Sequence, residues 1–178
     1  MNKLILALAF TTALTTSALA AALPYSQYDG IVFASDINGP DFVLEPKDIY
    51  LALAAQIVVD GKLVDNPNKT WNNVNDQLPD WPIIVYIPGE KHDTREVFEK
   101  KILLEGCSAS IFGNVKRTDD VCIQVRKDGV AIDIDGDYTE TLAHLISNPK
   151  AIGIFGLSFY ENNIDKLKVN TFTFKLNE

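Results

Sequence analysis

Residues 83–98 read IIVYIPGEKHDTREVF, which is the order of residue types expected of a buried strand, a tight turn and the start of a helix. Ile83, Ile84, Val85 and Tyr86 form a short β-branched and aromatic run, as suits a strand covered on both faces. Pro88 and Gly89 interrupt that run. Residues 94–105 then carry Val97, Phe98 and Ile102 at helical core spacing. A helix that opens this close to a strand end presents backbone amides with no intrahelical acceptor, at the positive end of its dipole. Such an end suits an oxyanion, and here Lys91 and Arg95 stand beside it. The residues Lys91, His92, Asp93, Thr94 and Arg95 are therefore the candidate ligand-binding set, with phosphate as the expected ligand.

On either side of this stretch, strand and helix patterns alternate. Residues 31–33 read as a strand, and residues 46–55 as a helix with Pro46 suited to its first position. Residues 57–59 and 62–64 read as a hairpin around Asp60-Gly61, and Thr70 as the cap of a short helix through Trp71 and Val74. Further on, Gly106 stands where a helix C-cap is expected, and residues 121–125 alternate like a strand. Asp128-Gly129 reads as a turn and residues 130–134 as a strand. Asp137 with Glu140 fits the capping box of a helix over 137–147, whose apolar face is Leu142, Leu145 and Ile146. Residues 151–159 read as an apolar central strand, and residues 170–176 as a closing one. Interleaved strands and helices predict a single layered α/β domain.

Residues 1–20 carry Lys3, a mostly apolar run over 4–14 and the small-x-small site Ala18-Leu19-Ala20. That is the pattern of a cleaved signal peptide, and it predicts an exported, periplasmic protein whose domain spans residues 21–178. The formal net charge of −8 argues against a nucleic-acid partner, which needs a basic face. In an oxidising compartment Cys107 and Cys122 are expected to form one disulfide. It would close a loop of about fifteen residues, worth roughly 3 kcal/mol in the chain-entropy model. No metal site is expected, because neither His92 nor His144 stands at ligand spacing from a cysteine. Asp133, Asp135 and Asp137 alternate, but Tyr138 and His144 occupy the places where a calcium loop needs Gly and Glu. No cofactor is expected, and no nucleophile–base set that would indicate an enzyme is visible.

Several short motifs occur together in one order: residues 28–34, 48–55, 59–64, 69–72, 94–98, 105–107 and 148–159. In this order they resemble the periplasmic phosphate-binding proteins of the phosphate ABC transporter, a type II periplasmic binding protein family. The resemblance runs from about residue 28 to about residue 170. It implies an α/β fold with a mixed, mostly parallel sheet flanked by helices, and phosphate or a similar oxyanion as ligand. It also implies a membrane permease as partner. The family chain is longer, so this sequence is expected to form one lobe, the second. A further chain would then have to supply the missing lobe, with its hydroxyl-bearing loop and its acidic acceptor.

At the helix start the family commonly has Ser-Gly-Thr, and the matching positions here are His92, Asp93 and Thr94. The resemblance implies a hydroxyl donor at Thr94 and a guanidinium clamp at Arg95. Asp93 departs from the pattern. With Glu96 three residues on it fits a capping box, and as a cap it would take the amides an anion needs. The alternative expectation is a structural or interaction remnant of the family that no longer binds ligand.

Overall fold

The computed structural model describes residues 27–28, 30–110, 115 and 118–169. The expected signal peptide and the strand expected over 170–176 lie outside the described residues. The main sheet takes β1 (Gln27–Tyr28), β2 (Ile31–Asp36), β5 (Val85–Pro88), β6 (Ala131–Ile134), β7 (Ile152–Gly156) and β8 (Leu167–Val169). Its order is β1-β2-β7-β5-β6, with β8 also on β2. The inner strand β5 runs parallel to both β6 and β7, whereas β2 is antiparallel to β7, β1 and β8.

Strand alternation sorts the side chains into two cores. Ile31, Phe33, Val85, Ile87, Ile152 and Ile154 face one side, where α1 (Pro46–Leu53), α2 (Trp71–Val74) and the long helix after β5 contribute Ile49, Leu53, Trp71, Phe98 and Ile102. Val32, Ala34, Tyr86 and Phe155 face the other, under α6 (Tyr138–Ser147) and α7 (Leu157–Glu161). The result is an α/β/α sandwich. Strands covered on both faces are apolar throughout, which is why the runs at 31–34 and 152–155 are legible in the sequence.

The expected hairpin forms as β3 (Gln56–Val59) and β4 (Lys62–Asp65), with Asp60 and Gly61 at φ 50° and 73° in its tight turn. Thr70 stands at the N-cap position of α2 as expected, and its amide donates to the Asn73 side chain at 3.1 Å. Other boundaries shift. The central strand starts at Val85, because the Ile83 amide donates to Lys69 O (2.9 Å) and Pro82 bridges Thr70 outside the sheet. It continues through Pro88, which is tolerated because pairing with β7 has already ended at Tyr86. The apolar run 151–159 divides at Gly156. Leu157, Phe159 and Tyr160 pack from α7 instead, since a buried helix and a buried strand look alike in composition. Residues 121–125 are not a strand. Thr118 opens one helical turn, α5 (Asp119–Cys122), and Val125 makes a single bridge to Ala54. On α6, Leu142 and Leu145 are buried but Ile146 is exposed, and the Asp137 carboxylate accepts from the Thr139 amide.

The helix after β5 is α3 (Asp93–Val97), a π-helical stretch (Phe98–Leu103) and α4 (Leu104–Ala109), running on continuously. The wider turn brings Phe98, Ile102, Leu103, Gly106 and Cys107 all into the interior. Gly106 is thus not the C-cap the sequence suggests. It lies inside α4 against α1, where a Cβ would come within 2.1 Å of Pro46 O and 2.6 Å of Tyr50 Cβ. The helix ends at Ala109, beyond the expected boundary, and Cys107 within its last turns forms the expected disulfide with Cys122.

Two stability changes are expected from this packing. Gly106→Ala forces α1 and α4 apart and should cost about 1–3 kcal/mol in urea unfolding. Replacing Cys107 and Cys122 together by Ala should cost about 3 kcal/mol, through the freed loop of the unfolded chain.

Candidate functional site

The two loops that follow β5 and β6 leave the sheet side by side, at the carboxyl ends of neighbouring parallel strands. Ligands of open α/β sheets bind at such ends. A cavity of about 530 Å³ opens there, lined by Gly89, Glu90, Lys91, His92, Asp133 and Asp135. The two loops pass close at Gly89, where a Cβ would lie 2.5 Å from the Asp135 carboxylate and 3.1 Å from Ile134 O.

The five residues singled out from the sequence are distributed unequally around it. Lys91 and His92 line the cavity. His92 also ties the loops together, its Nε2 standing 3.1 Å from Gly136 O as hydrogen-bond donor. It is His92, not Asp93, that occupies the N-cap position of α3. Asp93 is the first helical residue, exposed, and among the described residues its carboxylate has no hydrogen-bond partner. The capping box expected of Asp93 and Glu96 therefore does not form, and Glu96 pairs with Lys100 at 2.6 Å. The amides of His92 and Arg95 donate to Gly89 O and His92 O. Those of Asp93 and Thr94 have no acceptor among the described residues. The Thr94 hydroxyl is hydrogen-bonded to the Tyr138 phenol.

Arg95 departs furthest from expectation. The guanidinium clamp is buried, with 4% of its side chain exposed. Its Nε donates to Glu99 at 2.5 Å, and its Nη1 donates to Asp133 at 2.5 Å and to Pro88 O at 3.0 Å. Three of its five N–H groups are thus taken and two carboxylates already neutralise it, which leaves it less to offer an anion. Arg95 instead forms part of the wall of an adjoining cleft of about 710 Å³, with Glu90, Glu99, Arg126 and Lys127. Lys127, which the sequence did not mark, bridges Glu90 at 3.2 Å and Asp133 at 3.0 Å. Asp133 and Asp135 were also missed as cavity residues. Their alternation along the end of β6 was the available signal. Asp133 falls on the same face of the sheet as α3, and so meets Arg95.

Burial pushes the Asp133 carboxyl up, but hydrogen bonds from Arg95 and Lys127 outweigh this and hold it below the ordinary carboxylate range. Asp128 is held far below that range, foremost by Arg126 and further by Lys69, against a smaller effect of burial. The partner Arg126 is itself buried and donates to Ala52 O, Asn66 O and Asn68 O, binding α1 to the loop before α2.

A family model described as a PBP superfamily domain matches residues 20–178. The chain belongs to that superfamily. Among curated proteins it is similar to the phosphate-binding protein PstS of Staphylococcus epidermidis, 28% identical over 145 residues, which are 79% of this chain and 33% of that one. PstS of Staphylococcus haemolyticus is 28% identical over 107 residues, 60% of this chain and 27% of that one. The fold is also that of solved phosphate-binding proteins. A possible phosphate binding protein from Planctomyces limnophilus aligns with TM-score 0.58 and 18% identity, over 81% of this chain and 41% of the other. PstS from Borrelia burgdorferi aligns with TM-score 0.57 and 15% identity, over 84% and 49%. The chain therefore spans about a third of the curated relatives it matches and under half of the solved ones, a share that fits a single lobe. Among the described residues no helix is long and apolar enough to cross a membrane.

The ion pairs set an expected pH response. A carboxylate whose folded pKa lies below its unfolded value of about 3.9 contributes its full stability above that value, and loses it as pH falls through the folded pKa. Urea unfolding should therefore show stability declining below about pH 4. In Asp133→Asn the decline over the same window should be shallower, because one of the four carboxylates held low, Glu96, Asp128, Asp133 and Asp137, is gone.

Proposed function

We propose that this protein is an exported solute-binding domain that binds phosphate or a similar small oxyanion weakly, and that it does not catalyse. The observation that carries this reading is the pair of unpaired amides, Asp93 and Thr94, which open a long helix beside the cavity at the carboxyl ends of β5 and β6. Lys91 supplies the accessible cation, and the amides and His92 supply donors. Family membership, and relatives named for phosphate binding, support the ligand class.

Weakness follows from charge. Glu90, Asp93, Asp133 and Asp135 surround the loop, and Arg95 is withheld from it. At about 4 Å a like charge repels by on the order of 1 kcal/mol even in water. A site walled on one side also leaves the anion hydrated. Full affinity would need a second chain to close over it, and a membrane permease of an ABC transporter is the partner the family suggests.

The alternative reading, an interaction domain that has lost its ligand, is favoured by one observation: the buried Arg95 is already paired with the Glu99 and Asp133 carboxylates and with Pro88 O. Calorimetry with phosphate at low ionic strength separates the two. The binding reading expects a Kd of order millimolar, about −4 kcal/mol, and tighter binding in Asp93→Gly. Micromolar binding by the lone chain would refute the argument from an incomplete site. No binding by wild type with binding restored in Asp93→Gly would favour the lost-ligand reading.

A further inference from the structure

A guanidinium carries N–H donors on Nε, Nη1 and Nη2, and the protein meets Arg95 on only two of these nitrogens. Nε donates to Glu99, and Nη1 donates to Asp133 and to Pro88 O. Nη2 has no acceptor among the described residues. The side chain is 4% exposed, yet Nη2 is not one of the unpaired atoms sealed in the interior. Arg95 lines the cleft of about 710 Å³ and not the cavity beside Lys91. Its unpaired end is therefore presented to that cleft, whose volume is within the range of small-ligand sites. A donor so little reached by water gains much from an acceptor brought to it.

The charges of the cleft decide what that donor can take. Each cation in the wall already has a carboxylate: Arg95 has Glu99, Arg126 has Asp128 and Lys127 has Glu90. Two further carboxylates of the wall, Asp65 and Asp120, are exposed and have no cationic partner among the described residues. Both stand on anchored elements. Asp65 ends β4, and the next residue, Asn66, donates to Ala55 O through its amide and to Leu51 O and Ala54 O through its side chain. Asp120 lies in α5, which the disulfide of Cys122 with Cys107 ties to α4. Ala55, Ile123 and Val125 add an apolar part to the lining. An anion entering here gains a donor but meets two uncompensated carboxylates. A neutral oxygen takes the donor without that repulsion, and a cation joined to the oxygen is attracted by the carboxylates. A peptide carries both groups, a carbonyl at every residue and, in lysine, an ammonium on a flexible four-carbon stem. We propose that the cleft binds a short lysine-bearing peptide: a backbone carbonyl accepts from Arg95 Nη2, the stem lies on the apolar lining, and the ammonium reaches Asp65 and Asp120. The site is separate from the oxyanion loop and does not depend on it.

The test varies the ligand and leaves Arg95 in place, because replacing it would strip Glu99 and Asp133 of their partner. Heteronuclear NMR follows titration of acetyl-glycyl-lysine amide, of acetyl-glycyl-norleucine amide, which lacks the ammonium, and of pentylamine, which lacks the carbonyl. The lysine peptide is expected to shift the backbone amide signals of Asp65, Asn66, Asp120 and Gln124 and to leave those of Lys91, His92 and Asp93 in place. Pentylamine should bind about tenfold more weakly, the effect of a hydrogen bond to a charged donor. The norleucine peptide should bind about fivefold more weakly, the effect of two exposed ion pairs. The variant Asp65→Asn/Asp120→Asn should bring the lysine peptide to the level of the norleucine one. The proposal is overturned if the lysine peptide shifts no signals, or if the shifts fall on Lys91, His92 and Asp93. It is also overturned if pentylamine binds as tightly as the peptide, or if the double variant binds the lysine peptide as wild type does.

Discussion

Arg95 is a cation taken out of water, and its neighbours are arranged to meet that demand. Removing a guanidinium from solvent costs several kcal/mol unless its donors find acceptors. Here the acceptors come from three elements: Pro88 O at the end of β5, Asp133 on β6, and Glu99 one turn along the helix. Satisfying one side chain therefore fixes the end of the central strand, its parallel neighbour and the helix between them. Lys127 extends the network by reaching both Asp133 and Glu90. The loop that carries Lys91 and His92 is the surface of this arrangement, and its charge balance follows from how the interior is neutralised.

That same neutralisation reshapes what the loop can do. In a bare sequence, a cation next to a helix start suggests a clamp for an anion. Once Arg95 is turned inward, the loop depends on amides, on Lys91 and on whatever hydroxyl is free. The Thr94 hydroxyl is engaged by Tyr138, and Asp135 lies over Gly89. The Asp93 carboxylate, which local pattern would fold back over the helix amides, stays in solvent because His92 holds the cap position and is anchored to Gly136. The amides therefore stay open while the charges around them turn unfavourable. Weak binding is the natural outcome of those two opposing effects.

The scaffold carrying this loop is of an ordinary α/β kind, and its irregular parts occur where helices press closely. The π-helical turn and Gly106 let one helix bury residues against both the sheet and α1. The disulfide then pins the far end of that helix to α5. In the PBP superfamily this chain spans under half of the solved proteins it matches.

Local chemistry was enough to read the apolar strands, the hairpin at Asp60-Gly61, the caps at Thr70 and Asp137, the pairing of Cys107 with Cys122, and the strand–turn–helix that holds the candidate loop. Each depends on neighbours in the chain, on backbone preference, or on there being only two cysteines. The division of residues 151–159 at Gly156, the helical turn at Cys122 and the interior place of Gly106 were not legible, because composition cannot tell a buried strand from a buried helix, and a glycine at a helix end looks like one beneath a crossing helix. Least legible was the direction of the charges. Arg95 and Asp133 are far apart in sequence, and so are Thr94 and Tyr138. Only the parallel pairing of β5 with β6 brings their loops together. Whether a cation faces a ligand or a carboxylate is decided by which long-range partner reaches it first, and no local pattern encodes that.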